Sequence, residues 1–326
     1  MKAILIDEPG DETRMYVGDT EAPSLSPGCV RIAVAAAGVN RADLLQRQGF
    51  YAPPPGASEI LGLECAGSVT ELGEGVTGVS VGDRVMALLA GGGYAEEVVV
   101  DAGSLMTVPE KIDLVQAGGL PEVLLTVYLN VFQIGGLEAG QTLLVHGGGS
   151  GIGTAAIQLL KAAGAVAVVT AGSDAKCARC RDLGADVAVN YRSGDFVAEA
   201  KAATGGRGVD VVLDSIGAPY LQQNLDALAT GGRLVLIGLM GGARAELNLG
   251  ALLTRRLHVI GSTLRARPVA EKAAIVAEFA ARFGAALERG EIGPVVDRVL
   301  PLEQAPEAHR LVKASEHFGK VLLRVD

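Results

Sequence analysis

The run Thr142-Leu143-Leu144-Val145-His146-Gly147-Gly148-Gly149-Ser150-Gly151-Ile152-Gly153 decides the fold of this chain. A buried apolar strand leads directly into a glycine-rich turn, and a helix is predicted to follow over Thr154–Ala163. Glycines let a backbone approach a diphosphate closely, and a helix N-terminus offers N–H groups and a positive dipole end. A glycine run alone is also typical of a flexible turn, but its place between strand and helix predicts a dinucleotide site. The predicted contacts are Gly149, Ser150, Gly151, Ile152 and Gly153.

From about residue 120 onward, apolar strand-like runs alternate with predicted helices. Continuous Val, Leu and Ile runs separated by helices are typical of a parallel sheet covered on both faces. We therefore predict an α/β fold with a doubly wound, six-stranded parallel sheet of the Rossmann type. The predicted strands are Thr142–His146, Val166–Thr170, Val187–Asn190, Val209–Asp214, Arg233–Gly238 and His258–Gly261.

The flanking regions have a different pattern. Residues 1 to about 100 contain short alternating apolar runs separated by Gly and Pro clusters, which predicts a β-rich domain. One helix, Arg41–Gln48, interrupts these runs. After about residue 265, helices are predicted over Val269–Arg289 and Leu302–Ala314. The last predicted strand, Lys320–Val325, should rejoin the N-terminal sheet.

Composition narrows the classes of protein to be considered. The 326 residues are 49% hydrophobic and 20% charged, which is typical of a globular protein of two domains. A net charge of −9 argues against a nucleic-acid surface. The apolar run after Met1 ends at Asp7, too early for a signal-peptide core, and no window resembles a membrane span. We therefore predict a cytoplasmic protein with no nucleic-acid or membrane partner.

The end of the second predicted strand bears on the choice of cofactor. NAD sites usually carry an acidic residue there, which binds the ribose hydroxyls. Here the strand ends in Ala171-Gly172-Ser173, followed by Lys176 and, after the third strand, by Tyr191. A hydroxyl, an ammonium and a phenol can hold a 2′-phosphate, which favours NADPH bound by Ser173, Lys176 and Tyr191. Asp174 lies close by and complicates this interpretation, and a helix cap at Ser173 with a solvated Lys176 is the alternative.

Seven motifs along essentially the whole chain resemble one known family. They are Gly38–Gly49, Pro53–Ser58, Leu61–Gly67, Val81–Val85, Ser150–Leu159, Val169–Ser173 and Leu239–Gly242. Together they resemble the medium-chain dehydrogenase/reductase superfamily and, within it, the zinc-free zeta-crystallin-like quinone oxidoreductases, above all the branch of the tumour-suppressor-inducible quinone oxidoreductase. The resemblance implies a GroES-like catalytic domain of residues 1–120 and 266–326, and a Rossmann NADPH-binding domain of residues 121–265.

The resemblance also implies that zinc is not used. Zinc-dependent members have a cysteine before the first helix and a histidine in a Gly-His-Glu run. This chain has Asn40 in the place of the cysteine and Leu63 in the place of the histidine. Zinc needs three or four converging ligands, and the histidines are scattered. We predict no metal site, with His146 packed at a strand end and His309 and His317 on helix surfaces. The Cys177/Cys180 pair lacks a second pair, so its predicted role is structural or incidental.

Two catalytic residues are implied by the resemblance. Asn40 resembles the asparagine that contacts the nicotinamide ribose or the substrate. Tyr51 resembles the tyrosine that lines the substrate entrance and can donate to a carbonyl, although anchoring the Pro53–Gly56 loop is an equal alternative. Asp43 is expected to cap or pair locally, and Glu64 to pair with an arginine. The further cofactor contacts implied are Thr126, Gly217, Gly238, Met240, Phe318 and Lys320.

These features predict an NADPH-dependent quinone oxidoreductase. Alcohol oxidation needs a metal or a proton relay to take up alkoxide charge, whereas a quinone or enone delocalises it. An enone or 2-alkenal reductase, with Tyr51 as proton donor, is the first alternative. A non-enzymatic NADPH-binding protein, crystallin-like or a sensor, is the second. The resemblance also implies a homodimer through the edge strand His258–Gly261, since an exposed apolar edge needs a cover.

Overall fold

The computed structural model describes residues 1–325 and divides the chain into two units. Unit 1 consists of Met1–Leu125 and Leu264–Asp326, and unit 2 of Thr126–Thr263. The strands are β1 Lys2–Ile6, β2 Met15–Asp19, β3 Cys29–Gly38, β4 Glu64–Leu72, β5 Arg84–Leu88, β6 Glu97–Asp101, β7 Leu105–Thr107, β8 Thr142–His146, β9 Val166–Ala171, β10 Val187–Asn190, β11 Val209–Asp214, β12 Leu228–Leu236, β13 His258–Gly261, β14 Val296–Pro301 and β15 Lys320–Arg324.

Most of the helices are short, and among residues 1–325 four α-helices have ten or more residues. A π-helical segment, Tyr128–Ile134, continues directly from α3. The α-helices are α1 Arg41–Arg47, α2 Leu114–Ala117, α3 Pro121–Val127, α4 Gly151–Ala163, α5 Asp174–Leu183, α6 Phe196–Ala202, α7 Leu221–Ala227, α8 Leu249–Arg255, α9 Val269–Arg289 and α10 Ala305–Ala314.

Unit 2 is built on one six-stranded sheet in the order β10-β9-β8-β11-β12-β13. Every neighbouring pair is parallel, which confirms the predicted sheet. The order reverses between β8 and β11, and doubly wound sheets bind ligands beyond the carboxyl ends of the strands at such a point. Strands and helices both contribute apolar side chains to the core. Val168 on β9, Val212 on β11 and Leu225 on α7 are fully buried in it. The glycine-rich turn after β8 therefore lies at the place where this architecture binds nucleotides.

Unit 1 contains a seven-stranded sheet. Its order is β14-β15-β3-β4-β5-β7, with β6 also paired to β3, and β1 and β2 form a separate antiparallel pair. The last strand, β15, lies between β14 and β3, so the prediction that the C-terminal strand rejoins the N-terminal sheet is confirmed. The core beside this sheet combines residues from both parts of unit 1, among them Ile32, Leu311 and Val321.

Several elements of unit 1 differ from the sequence prediction. Strands β2, β7 and β14 were not predicted, because they are short or lack a regular apolar alternation. The helix predicted from Leu302 begins instead as a 3₁₀ turn, Leu302–Gln304, and α10 starts at Ala305. Pro306 lies in the first turn of α10, where its missing N–H costs no hydrogen bond. Among residues 1–325, no helix combines the length and hydropathy of a membrane span.

Candidate nucleotide site and acceptor site

The glycine-rich turn is held in a fixed shape at the start of α4. The N–H groups of Gly147 and Gly148 both donate to the Thr170 carbonyl, at 3.1 and 2.7 Å. Ser150 is the N-cap of α4, and its Oγ accepts from the N–H of Gly153 at 3.0 Å. The N–H groups of Gly151 and Ile152 occupy the first two helical positions, where no intrahelical acceptor exists. The predicted residues therefore form a helix start of the kind that suits an anion.

Close packing explains two of the glycines. A Cβ atom on Gly148 would lie 2.8 Å from Val169 Cβ and 3.0 Å from Cys180 Sγ. A Cβ atom on Gly153 would collide with the Gly147 carbonyl oxygen and lie 2.5 Å from Gly148 Cα. The loop thus packs directly against β9 and α5 with no room for side chains. Such a cradle fits a diphosphate, because only bare backbone leaves the N–H groups within reach of phosphate oxygens.

The three residues predicted to hold a 2′-phosphate lie around the end of β9. Gly172 follows β9, and a Cβ atom placed on it would be 2.9 Å from the Tyr191 hydroxyl. Ser173 is the N-cap of α5, with its Oγ accepting the Lys176 N–H at 3.2 Å, so the alternative role as a cap is confirmed. The Ser173 hydroxyl accepts this hydrogen bond and still has its own hydrogen to donate to another group. Asp174 Oδ1 accepts a hydrogen bond from Asn190 Nδ2 at 2.8 Å.

The loops after β11 and β12 are hydrogen-bonded to each other. Met240 N donates to the Ser215 carbonyl at 3.1 Å, and a Cβ atom on Gly238 would lie 3.2 Å from the same oxygen. Gly217 has a φ of +85°, which favours glycine, and its N–H donates to Asp214 Oδ2 at 3.1 Å. The predicted contacts Gly217, Gly238 and Met240 therefore lie together beyond the carboxyl ends of two neighbouring strands.

A buried polar network links this edge of unit 2 to β8. His146 Nε2 lies 2.6 Å from Asn224 Oδ1, and its Nδ1 lies 3.1 Å from Thr170 Oγ1. Asn224 Nδ2 in turn donates to Asp214 Oδ2 at 3.1 Å. Burial lowers the pKa of His146. The prediction of a packed, hydrogen-bonded His146 is confirmed. Thr126, at the start of unit 2, is buried, and its carbonyl accepts from Asn130 Nδ2 at 2.8 Å.

In unit 1, Asn40 is held by a buried ion pair. Lys320 Nζ lies 2.7 Å from Glu64 Oε1, with both side chains almost fully buried. Between these charges, Asn40 Oδ1 accepts from Lys320 at 2.8 Å, and Asn40 Nδ2 donates to Glu64 Oε1 at 2.8 Å. The ammonium also donates to the Val39 carbonyl at 3.1 Å, so its three donors meet three acceptors. The orientation of the Asn40 amide is therefore fixed.

This ion pair corrects one expectation. Glu64 was expected to pair with an arginine, but its partner is Lys320, which β15 brings into the sheet beside β3. Lys320 donates to groups of unit 1, and its contact with the cofactor stays a prediction. Gly38 makes room for the pair, because a Cβ atom there would collide with Glu64 Oε1 and lie 2.7 Å from Glu64 Cδ. Phe318, the other C-terminal candidate, is buried, and its N–H donates to Asp297 Oδ1 at 3.0 Å.

A second buried chain of polar groups begins at Asp43. This carboxylate accepts the N–H of Asn40 at 2.7 Å, so the prediction that Asp43 caps α1 is confirmed. Burial raises its pKa to about 6, although backbone hydrogen bonds oppose the change. Tyr94 bridges Asp43 Oδ2 and His309 Nε2, each at 3.2 Å, and His309 Nδ1 lies 3.2 Å from Arg47 Nη1.

The placement of the two C-terminal histidines was wrong. His309 is fully buried, and burial lowers its pKa to about 3, so the ring is neutral. The α10 face that carries it packs into the core and is paired there with Tyr94 and Arg47, a tertiary contact that helical spacing does not reveal. His317 lies beyond the end of α10. Among residues 1–325 no group of three or more His, Cys, Asp or Glu is arranged to hold a metal ion.

Tyr51 and Arg265 form a pair that the sequence did not reveal. The Arg265 guanidinium lies 5.2 Å from the centre of the Tyr51 ring and donates to the Tyr51 carbonyl at 3.2 Å. It also donates to Gln46 Oε1 at 2.7 Å and to the Ala90 carbonyl at 2.8 Å. Burial raises the pKa of the Tyr51 phenol. Arg265 thus fixes the loop that carries Tyr51, whose ring remains partly exposed.

Comparisons with known proteins agree with this geometry. Residues 26–110 match the family described as "Alcohol dehydrogenase GroES-like domain" and residues 151–281 the family described as "Zinc-binding dehydrogenase". Quinone oxidoreductase of Rattus norvegicus is 30% identical over 326 residues, covering 99% of this chain and 97% of the rat protein.

Two solved structures are similar over essentially their full length. One, described as an NAD-dependent alcohol dehydrogenase, has a TM-score of 0.88 at 33% identity and covers 100% of both chains. The other is the Escherichia coli quinone oxidoreductase complexed with NADPH, with a TM-score of 0.89 at 28% identity, covering 99% of this chain and 100% of that one.

The fold and the glycine loop thus define an oxidoreductase that uses a nicotinamide cofactor. The chain belongs to the medium-chain dehydrogenase/reductase superfamily, within its zinc-free quinone oxidoreductase group. Positions 40 and 63, which hold Asn40 and Leu63, lie outside the range 151–281 that matches the zinc-binding dehydrogenase family. The similarity to the tumour-suppressor-inducible branch stays a prediction.

Proposed function

We propose that this protein is an NADPH-dependent quinone oxidoreductase that transfers hydride to a small quinone without a metal. The observation that carries the proposal is the amide of Asn40, clamped between Lys320 and Glu64 in the place of a metal ligand. An amide and an apolar Leu63 supply no Lewis acid to stabilise alkoxide charge. A quinone needs none, because its conjugated ring spreads the charge that hydride brings.

The residues of unit 2 fit the cofactor. When bound, reduced nicotinamide supplies the hydride. The helix start at Gly151 and Ile152 suits the diphosphate, and the group formed by Tyr191, Ser173 and Lys176 suits the 2′-phosphate. In unit 1, Asn40 and Tyr51 would orient the acceptor, since the first is fixed by Lys320 and the second by Arg265.

Turnover of acceptors tests the reaction class. We expect NADPH oxidation that depends on 1,4-benzoquinone or 9,10-phenanthrenequinone and exceeds that with 2-hexenal in kcat/KM. A preference of about 100-fold for the alkenal would instead establish the enone reductase. Tight NADPH binding with no acceptor-dependent oxidation across a quinone panel would establish a non-enzymatic binding protein. Absorbance of the reduced nicotinamide measures each outcome.

The 2′-phosphate contact can be tested with Lys176→Ala. Loss of one charge-assisted contact of about 1.5–3 kcal/mol should lower the NADPH-over-NADH ratio of kcat/KM by about 10- to 100-fold. The change should come from NADPH, with NADH turnover almost unaffected, because NADH lacks the phosphate. Lys201→Ala, on the exposed face of α6, is the matched control and should leave the ratio unaltered. An unchanged ratio in Lys176→Ala would remove Lys176 from the site.

We also propose that two copies of the chain pair through β13. This strand has a neighbour on one side only, β12, and Val259 is 37% exposed. An exposed apolar strand edge is normally covered, and pairing with its twin would extend the sheet across two copies. Light scattering on the purified protein should give the mass of two chains, and a monomer at micromolar concentration would contradict the proposal.

A further inference from the structure

His146 is a buried histidine at the carboxyl end of β8, and the proposed function gives it no role. Its ring is 3% exposed and lies between two aromatic side chains, with ring centres 4.9 Å from Phe196 and 4.8 Å from Tyr220. Both contacts are edge-to-face, at 76° and 66°, a preferred geometry for aromatic pairs. The imidazole is therefore held in one orientation, and each ring nitrogen has a polar partner.

The donors and acceptors around the ring determine which nitrogen carries a hydrogen. Asp214 accepts the backbone N–H groups of Ile216 at 2.6 Å and of Gly217 at 3.1 Å. The same carboxylate accepts from Asn224 Nδ2 at 3.1 Å. Because a carboxylate only accepts, Asn224 presents its NH₂ group to Asp214 and its carbonyl oxygen to His146. That oxygen lies 2.6 Å from Nε2, so Nε2 carries the hydrogen.

The other ring nitrogen, Nδ1, is then an acceptor on a neutral ring. Burial lowers the pKa of His146, which favours the same neutral form. Thr170 Oγ1 lies 3.1 Å from Nδ1 and therefore donates its hydrogen to it. The same hydroxyl oxygen accepts the N–H of Gly147 at 3.3 Å. Every hydrogen bond thus runs in one direction, from the glycine-rich turn after β8 to the carboxylate at the end of β11.

This hydrogen-bond chain connects two turns at the edge of the sheet where nucleotides bind. Strands β8 and β11 are parallel neighbours, and the strand order reverses between them. At one end Thr170 holds the turn that begins at Gly147, and at the other end Asp214 holds the turn that contains Gly217. A buried polar chain in which every member has its partner is rigid. The spacing between the two turns is therefore set inside the protein.

We propose that His146 is a positioning residue for the nucleotide, which fixes the turn after β8 relative to the turn after β11. This inference rests on the proposed nucleotide site and is independent of the choice of acceptor. His146 acts on the glycine-rich turn through Thr170, and on the turn after β11 through Asn224. Because NADPH and NADH share the diphosphate, the chain should contribute equally to the binding of both nucleotides.

Binding of the reduced nucleotides, followed by their fluorescence, tests this role without any acceptor. We expect His146→Leu to raise the Kd of NADPH and of NADH by about tenfold each, because Thr170 and Asn224 lose their shared partner. His146→Gln should recover part of the affinity, since its side-chain amide can donate to Asn224 again. An unchanged Kd in His146→Leu, or a loss confined to NADPH, would overturn the positioning role.

Two milder substitutions test the chain on either side of the ring, even if His146→Leu does not fold. Thr170→Val removes the hydroxyl that donates to Nδ1, and Asn224→Leu removes the acceptor of the Nε2 hydrogen. Each should raise both dissociation constants about fivefold. The double variant should show less than the product of the two effects, because both act through one ring. Effects that multiply would reveal two independent contacts and would contradict a chain through His146.

Val209→Ala is the control for a loss of stability alone. Val209 is fully buried in the core of unit 2, at the amino end of β11, whereas the two turns lie at the carboxyl ends of the strands. The substitution should lower the urea midpoint of unfolding and leave both dissociation constants unchanged. A rise in Kd equal to that of Thr170→Val would assign the effect to stability and overturn the inference.

The outcomes for the wild type separate this inference from the proposed function. NADPH binding without quinone turnover would end the proposed reaction class, while the effects of His146→Leu on both dissociation constants would still decide the positioning role. A wild type that binds neither nucleotide would overturn the function and the inference together.

Discussion

Gly153→Ala is expected to weaken NADPH binding by about 100-fold, which corresponds to about 2.7 kcal/mol. The added methyl group would meet the Gly147 carbonyl oxygen and Gly148 Cα inside van der Waals contact. Both are backbone atoms, so relief requires the whole turn to move away from α4, and the N–H groups at the helix start would no longer converge on one diphosphate. Quenching or enhancement of nicotinamide fluorescence on titration measures the dissociation constant.

Gly284→Ala is the matched control for this change. Gly284 is also a helical glycine, in α9, but a Cβ atom there meets nothing within 4 Å. The substitution should leave NADPH binding unchanged and raise the free energy of unfolding by about 0.5–1 kcal/mol, because alanine is the better helix former. If Gly153→Ala bound NADPH as tightly as Gly284→Ala does, the turn after β8 would not be the diphosphate site.

Lys320→Met should lower the free energy of unfolding by about 3–5 kcal/mol, because it leaves a buried carboxylate without its counter-charge. Glu64 is fully buried, and no solvent is at hand to replace the ammonium. Asn40 Oδ1 and the Val39 carbonyl lose a donor in the same step. Urea unfolding at constant pH measures the loss.

Two further variants test whether that loss of stability comes from the uncompensated charge. Adding Glu64→Gln to Lys320→Met removes the uncompensated charge and should recover part of the stability, which a purely steric effect of the methionine would not allow. Lys313→Met is the surface control, since Lys313 is 55% exposed and lies 3.7 Å from Glu12, and it should cost less than about 1 kcal/mol. Equal losses in the two lysine variants would contradict a special role for the buried pair.

The fold of unit 2 was predictable because its signals are local. A strand such as β8, a glycine turn and a helix start at Ser150 lie within a dozen residues, and the apolar runs repeat along the chain. The glycine-rich turn after β8 and the positions of the residues around Gly172 could be predicted for the same reason. The cap at Asp43 also follows from spacing alone, since N-cap and N3 are three residues apart.

The polar groups around Asn40 in unit 1 depend on contacts that sequence spacing does not encode. Lys320 and Asn40 are separated by 280 positions, and only the register of β15 against β3 brings them together. No role was predicted for Glu122 from the sequence, because an acid is common in the first turn of a helix. Burial and, after it, Glu64 raise its pKa, and neither cause can be inferred without the fold. His309 was misplaced for the same reason.

The position of β15 has a consequence for how the chain acquires its structure on the ribosome. Unit 2 is one continuous segment, so all of its strands have been synthesised before residue 264 is added. The sheet of unit 1 is different, because residues 320–324 fill the position between β14 and β3. The order of synthesis therefore favours folding of unit 2 before unit 1, whose sheet is complete only once β15 has been made.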